Sequence, residues 1–397
     1  MQNKVAITGM GIISSIGTTV EENFQSLISK KSGISTIEWI ETRHSNDIKV
    51  GEIKITNQQL QQILNLPEDN TFTRTGLLGA YAAKQAIENA NITNINDVRS
   101  GLISSTSVGG MDFTEKHYKQ YENHPEYIKY INSHNAGDSS NKIAEYLGLK
   151  GFVSTISTAC SSAANAIMLG ASMIENGYLD RVVVGGTDAL SKFTINGFKT
   201  LMILSDTYNT PFDQNRKGLN LGEAAAYLVL ESDEVVKQHN KNVLGYVVGY
   251  GNANDAYHQT ASSENGEGAY LAMQQAFAKA NISPEKISYV NAHGTATPNN
   301  DLSEGRALLR VFNKVPKFSS TKAFTGHTLA AAAAIEAVYS ILALQNNTIF
   351  PNLNFKTPME EFQLIPETEV VSTELNYVLS NSFGFGGNCS TLIFSKS

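Results

Sequence analysis

A chain of 397 residues, 41% hydrophobic and 17% charged, is long enough to bury a large core and has the balance of a globular enzyme. Its formal net charge of −7 argues against a general binder of nucleic acid or of anionic membranes. The two cysteines, Cys160 and Cys389, have no spacing that would build a disulfide framework or a zinc site, which fits a reducing compartment.

In chain order, Met1-Gln2-Asn3-Lys4-Val5-Ala6-Ile7-Thr8-Gly9-Met10-Gly11 reads as a strand running into a glycine turn. Its apolar run is too short and too broken for a signal peptide, so the expected location is cytoplasmic. The run Gly9-Met10-Gly11-Ile12-Ile13-Ser14 imitates a dinucleotide fingerprint. Its third glycine is replaced by Ser14, however, and no strand ending in an acid lies near residues 28–32, so we reject that reading. Residues 110–140 are polar and rich in Tyr, His and Asn, as expected of an excursion at the surface or at a subunit interface.

The β-branched run Phe152-Val153-Ser154-Thr155-Ile156 predicts a buried strand, and the Ala-, Met- and Leu-rich stretch to about Asn176 predicts a helix. Between them lies Ser157-Thr158-Ala159-Cys160-Ser161-Ser162. A thiol at that junction meets unpaired backbone N–H groups and a helix dipole that favour negative charge, so a stabilised thiolate is expected. The competing reading is an inert, buried cysteine. Arg181-Val182-Val183-Val184-Gly185-Gly186 predicts the next strand.

The pattern then repeats. Leu244-Gly245-Tyr246-Val247-Val248-Gly249-Tyr250-Gly251 resembles the opening strand, and residues 317–346 repeat the strand, small-residue turn and apolar helix of residues 152–178. Tyr377-Val378-Leu379-Ser380 then corresponds to the strand after the first helix. Alternating strands and helices predict a layered α/β fold. Two halves, 1–237 and 238–397, predict sheets sandwiching shared helices. The stretch 329–344 is apolar nearly all round but is interrupted by Glu336 and short for a membrane span, so it is expected in that central layer.

Three motifs bear chemistry: Cys160, the strand-to-loop Tyr289-Val290-Asn291-Ala292-His293-Gly294-Thr295-Ala296-Thr297-Pro298, and Ser320-Thr321-Lys322-Ala323-Phe324-Thr325-Gly326-His327. Each presents its polar residue beyond the C-terminal end of a strand, where open α/β folds bind ligands. With Leu221-Gly222-Glu223, Asp255-Ala256-Tyr257-His258 and Asn381-Ser382-Phe383-Gly384-Phe385-Gly386-Gly387, these motifs make the chain resemble a β-ketoacyl-[acyl carrier protein] synthase of the elongating type II kind, within the thiolase-like superfamily.

That resemblance implies a five-layered α-β-α-β-α sandwich of two pseudo-duplicated halves and a decarboxylating condensation. Cys160 would carry the acyl group, His293 and His327 would donate Nε–H bonds to an enolate, and the backbone N–H groups of Cys160 and Phe385 would form the oxyanion hole. Lys322 would hold the histidines neutral or serve only as a structural ion pair, with Glu336 as its supporting partner. Thr295 and Thr297 would contact a phosphopantetheine arm or merely cap a loop. Phe383, Gly384 and Phe385 would gate the thiol or form a tight turn, and Val108 would border the acyl pocket. The resemblance implies no bound cofactor and no metal, since the phosphopantetheine arrives on the acyl carrier protein. It also implies a homodimer or a heterodimer with a related subunit.

The chain departs from the family pattern at Arg216-Lys217-Gly218-Leu219-Asn220-Leu221-Gly222-Glu223-Ala224-Ala225, and the region before Arg74 is short and poor in basic residues. Both features point toward a specialised aryl polyene or polyketide synthase rather than housekeeping fatty acid synthesis, and leave open which surface docks the carrier. Two other readings compete. A chain-length-setting partner subunit would lack the nucleophilic cysteine. A thiolase would use a second cysteine that heads a glycine loop, whereas Cys389 follows one. His44, His117, His124, His134 and His239 lie in polar segments and are expected to be solvated. His258 is assigned no chemistry.

Overall fold

The computed structural model describes residues 5–397; residues 1–4, read above as the lead-in to the first strand, lie outside the described residues. Ten strands form one sheet: β1 (Val5–Ser14), β2 (Ser100–Ser105), β3 (Phe152–Ile156), β4 (Arg181–Asp188), β5 (Ala224–Ser232), β6 (Gly245–Asn254), β7 (Tyr289–Asn291), β8 (Lys317–Ser319), β9 (Tyr377–Phe383) and β10 (Asn388–Ser395). Their order is β8-β7-β9-β10-β6-β1-β5-β4-β2-β3. The first five strands and the last five follow the same path. In each half the second strand pairs in parallel with the third and fourth, and the fifth runs antiparallel between the fourth and the first. The expected pair of sheets is one continuous sheet here, because Val5, Ala6 and Ile7 pair with Val247, Tyr246 and Gly245 at the seam.

Seven helices matter for the site: α1 (Arg74–Asn89), α2 (Ala136–Tyr146), α3 (Ser162–Glu175), α4 (Lys192–Thr200), α5 (Glu267–Ala280), α6 (Pro298–Val311) and α7 (Ala332–Asn346). Alternate strand residues face opposite layers, as the pleat requires. Val182 and Val184 join the central core with α3 and α7, while Val183 faces the outer core with α1 and α2. A third core places α5 and α6 on the outer face of the second half. This is the α-β-α-β-α layering that the resemblance implied, with the shared central helices that the repeat predicted. Helix α7 is buried on every side from Ala332 to Leu344, so its apolar composition reflects a central position between the two halves.

The Gly-x-Gly pair that imitates a nucleotide motif has a packing cause. A Cβ on Gly9 would lie 2.3 Å from the Ala86 carbonyl oxygen, and one on Gly11 would lie 2.1 Å from that of Ala82, so these glycines let α1 lie directly on β1. The second half does the same: Cβ atoms on Gly249 and Gly251 would come within 2.5 and 2.2 Å of the Ala276 and Ala272 oxygens of α5.

Residues 110–140 form short helices with largely exposed surfaces, and His117 is not simply solvated. Its ring stacks on Tyr130 at 4.6 Å and lies 4.7 Å from Tyr127. His44 also departs from expectation; it is buried and bonded to Arg43 and Asp47.

Arg181 is wholly buried. Its Nε donates to Glu231 on the neighbouring strand at 2.6 Å, and its Nη1 pairs with Asp97. Truncating one member of such a pair strands the other charge. Arg181→Met is therefore expected to lose about 3–5 kcal/mol in denaturant unfolding, and Arg181→Met/Glu231→Leu to recover much of it.

Candidate active site

Strand β3 ends at Ile156, and the chain turns sharply before α3. Ala159 takes a left-handed φ of +53°, rare for a residue with a Cβ, and sets Cys160 at the head of the turn. The Ser162 hydroxyl locks the elbow by donating to the Ala159 carbonyl at 2.5 Å and accepting the Thr158 N–H at 2.8 Å. The glycine loop lies against it. A Cβ on Gly384 would sit 2.7 Å from the Thr158 oxygen and 3.2 Å from the Cys160 nitrogen, so only glycine allows this approach. The approach brings the backbone N–H groups of Phe385 and Cys160 to the sulfur.

The two histidines come from equally fixed loops. His293 follows β7, and its N–H and that of Gly294 donate to the buried Glu304 carboxylate of α6 at 2.9 and 2.8 Å. His327 follows Gly326, whose φ of +74° turns the chain against Leu221. Its N–H donates to Asn220 O at 2.7 Å, and its carbonyl accepts from Gly222 N at 3.0 Å. The Leu221-Gly222-Glu223 motif therefore holds His327 in place.

The Cys160 sulfur and one ring nitrogen of each histidine lie within 4.8 Å of one another. The His293 and His327 ring centroids are 5.5 Å apart and nearly perpendicular. His327 Nδ1 accepts the Leu329 N–H at 3.0 Å, so in the neutral ring the proton resides on Nε2. His293 Nδ1 is buried without a partner.

Lys322 is buried and paired with Glu336 at 2.5 Å. Burial pushes His327 down to about 3 and His293 well below the usual imidazole range, and the Lys322 cation reinforces both shifts. The two rings are neutral donors. Burial acts the opposite way on the thiol, pushing Cys160 up to about 11 against the pull of Lys322 and the backbone N–H groups. The stabilised thiolate expected from the helix mouth is thus overridden by desolvation, and the resting group is a thiol. Thiol and imidazoles are donor types that zinc accepts, but a second cation would face the Lys322 charge.

A cavity of about 260 Å³ runs from this cluster to the surface. Thr295, Thr297, Phe383, Gly384 and Phe385 line it. The Thr295 and Thr297 hydroxyls bond each other at 2.8 Å; Thr295 also accepts the Thr297 N–H at 3.4 Å, a loop cap, whereas the Thr297 side chain makes no cap bond to α6. The Phe385 ring stacks on Phe198 of α4 at 5.9 Å. Val108 does not line this cavity.

Sequence reasoning missed Glu304, Phe198, His258 and Asp188. Asp301 and Glu304 both lie on the buried face of α6, and that i, i+3 spacing after Pro298 was a readable signal. Asp188 accepts N–H bonds from Ser107 of the first half and Ala330 of the second, which ties the halves together beside the site. His258 lines the cavity mouth from an exposed loop.

A family model described as "Beta-ketoacyl synthase, N-terminal domain" matches residues 2–236, and its "C-terminal domain" counterpart matches residues 244–356. The chain is 34% identical to the "3-oxoacyl-[acyl-carrier-protein] synthase 2" of Staphylococcus aureus (strain N315), over 100% of this chain and 99% of that one. Among solved structures it is similar to the ishigamide ketosynthase/chain length factor, with a TM-score of 0.93, 29% identity and full coverage of both chains. It is also similar to AntDE:AntF, a type II PKS acyl-carrier protein in complex with its ketosynthase bound to the hexaketide, with a TM-score of 0.88, 26% identity and full coverage of both chains.

With the thiol near 11, the reactive fraction of Cys160 grows with pH well beyond neutrality. Iodoacetamide labelling of Cys160, followed by peptide mass spectrometry, should accelerate about tenfold per pH unit between about pH 7 and 10. A plateau reached by about pH 8 would contradict this.

Proposed function

Because this chain belongs to the beta-ketoacyl synthase family, it is a condensing enzyme of fatty acid or polyketide synthesis, and we propose that Cys160, His293 and His327 carry its reaction. The observation that carries the assignment is the convergence of the sulfur and both imidazoles within 4.8 Å at the end of one cavity.

In the first step the Cys160 sulfur attacks the carbonyl of an acyl thioester. The carbon–sulfur bond to the carrier breaks, and the thiol proton leaves with the departing pantetheine sulfur. The tetrahedral oxyanion forms beside the Cys160 and Phe385 N–H groups, fixed donors that need no reorganisation. In the second step a malonyl thioester loses CO₂, and the electron pair of the broken carbon–carbon bond moves to the thioester oxygen as an enolate. Nε2–H of His327, and a matching donor on His293, stabilise that charge. The enolate carbon then attacks the acyl group, the bond to Cys160 breaks, and the released thiolate takes up a proton from solvent. The product is a 3-oxoacyl thioester two carbons longer.

Lys322 acts through the histidines by reinforcing the burial that keeps them uncharged, with Glu336 anchoring it. The phosphopantetheine arm, covalently carried by the acyl carrier protein, passes Thr295 and Thr297, and Phe383, Gly384 and Phe385 border the thiol. The proposal divides the chain into halves at 1–237 and 238–397 and assembles it as a homodimer or with a related ketosynthase-like subunit. It places the protein in the cytoplasm, where a nucleophilic thiol stays reduced. A role as a chain-length partner alone is disfavoured by the intact nucleophile facing both imidazoles.

Cys160→Ala should abolish 3-oxoacyl product, as read by mass spectrometry with acyl- and malonyl-loaded carrier. His293→Ala or His327→Ala should slow malonyl decarboxylation by about 10²–10³. Since His327 stays neutral above about 3, CO₂ release by the preacylated enzyme should be nearly flat from about pH 5.5 to 8. An acid limb near 6.5 would contradict neutral imidazoles.

A further inference from the structure

The cavity ends at Cys160, so a substrate tethered to a protein must leave that protein resting at the mouth. One side of the mouth is the C-terminal end of α4 and the turn after it. Met202 lies on this rim, 87% exposed, at a left-handed φ of +56° that fixes it beyond the helix end. Phe193 and Leu201, 56% and 43% exposed, stand with Gly197 at i, i+4 and i+8 along one face of the same helix. A Cβ on Gly197 would meet no atom within 4 Å, so this face has a shallow dip between two apolar side chains. The other face of α4 buries Thr194 and Ile195 and presents Phe198 to the Phe385 ring over the thiol.

Cations flank this apolar stripe. Lys199 makes no ion pair among the described residues, and Lys192 only touches Glu41 at 4.0 Å. Lys217 is exposed next to Gly218, where a Cβ would come within 2.3 Å of the Ile203 oxygen, so it stands against the same turn. A phosphodiester on the incoming arm complements them.

We infer that the face of α4 formed by Phe193, Gly197 and Leu201, continued by Met202 to the cavity rim, seats the acyl carrier protein while its arm reaches Cys160. The inference rests on the condensing reading above and assigns that reading a docking surface. Apolar contact supplies the hold, and the flanking lysines orient the phosphate. An apolar stripe open to solvent and continuous with the entrance is the kind of surface that marks a partner site.

Two variants of the full chain, Phe193→Glu/Leu201→Glu and Gly197→Tyr, test it. Both act at exposed positions, and the second has open space for its ring. The affinity of phosphopantetheinylated carrier protein, measured by calorimetry, should fall about tenfold or more in each, with KM for carrier-bound malonyl rising in parallel. Condensation from malonyl- and acyl-pantetheine, which bypasses docking, should stay within about twofold of wild type. Unchanged carrier affinity in both variants would overturn the seat while leaving the condensing reading intact. A change in oligomeric state by light scattering would overturn it too, by assigning the face to a partner subunit. A wild type that binds carrier but never condenses pantetheine thioesters would overturn the function and, with it, this inference.

Discussion

The site depends on one buried cation. Lys322 sits between the two halves with Glu336 as its counterion, and neither is open to water. Glu336 rides on α7, a helix apolar enough to lie in the central layer, and its second oxygen has no hydrogen-bond partner among the described residues. Burying such a pair is costly, and hydrocarbon of similar volume in place of a buried ion pair often leaves a fold as stable or more so. Its use lies in the field it imposes. Burial already disfavours the charged imidazoles and the fixed positive charge beside them reinforces this, so both stay neutral and donate hydrogen bonds without competing protonation.

The duplicated fold explains why these groups meet. Each half ends its parallel strands at the same level, and the seam between β1 and β6 brings the two sets of strand ends together over the central helices. Cys160 and His327 follow β3 and β8, the equivalent third strands, and each precedes a central helix, α3 or α7. His293 follows the second strand of its half. Paired glycines on β1 and β6 let the outer helices close on the sheet, so the loops at the strand ends are supported from both faces. The carboxylates of Asp188 and Glu304, which accept loop N–H groups, hold these buried loops in place.

Most of this was legible because it is local. The strand–turn–helix spelling around Cys160 and His327, the repeat, and the Lys322–Glu336 pairing follow from residue type and spacing. What was not legible depends on contacts between distant segments. The approach of Leu221 to Gly326, the tie from Asp188 to Ala330 and the reach of Phe198 to Phe385 join residues with no sequence relation. The expected thiolate failed for a related reason. The helix mouth is a local feature, whereas desolvation is set by everything packed around the sulfur. His117 and His44 failed for a different reason: their partners are close in sequence, Tyr127 and Tyr130 for one and Arg43 and Asp47 for the other, but a polar run does not show which neighbours fold back onto the ring.

The same burial therefore serves the two half-reactions unequally. It favours the neutral imidazoles needed for the enolate but raises the thiol from an ordinary value near 9 to about 11, a cost of about 3 kcal/mol for forming the thiolate. Backbone N–H groups and Lys322 oppose that cost without cancelling it. One environment cannot keep nitrogen bases uncharged and also make a sulfur acid ionise freely, because low dielectric penalises either charge. The arrangement resolves the conflict by position. Cys160 is placed at a helix mouth with two backbone N–H donors, whereas the His293 ring lies 5.6 Å from Phe383 and feels the Lys322 cation. Sulfur attack needs the charge only briefly, and the acyl group then removes it. The enolate, by contrast, forms against imidazole N–H donors fixed in advance, which stabilise its charge without transferring a proton to it.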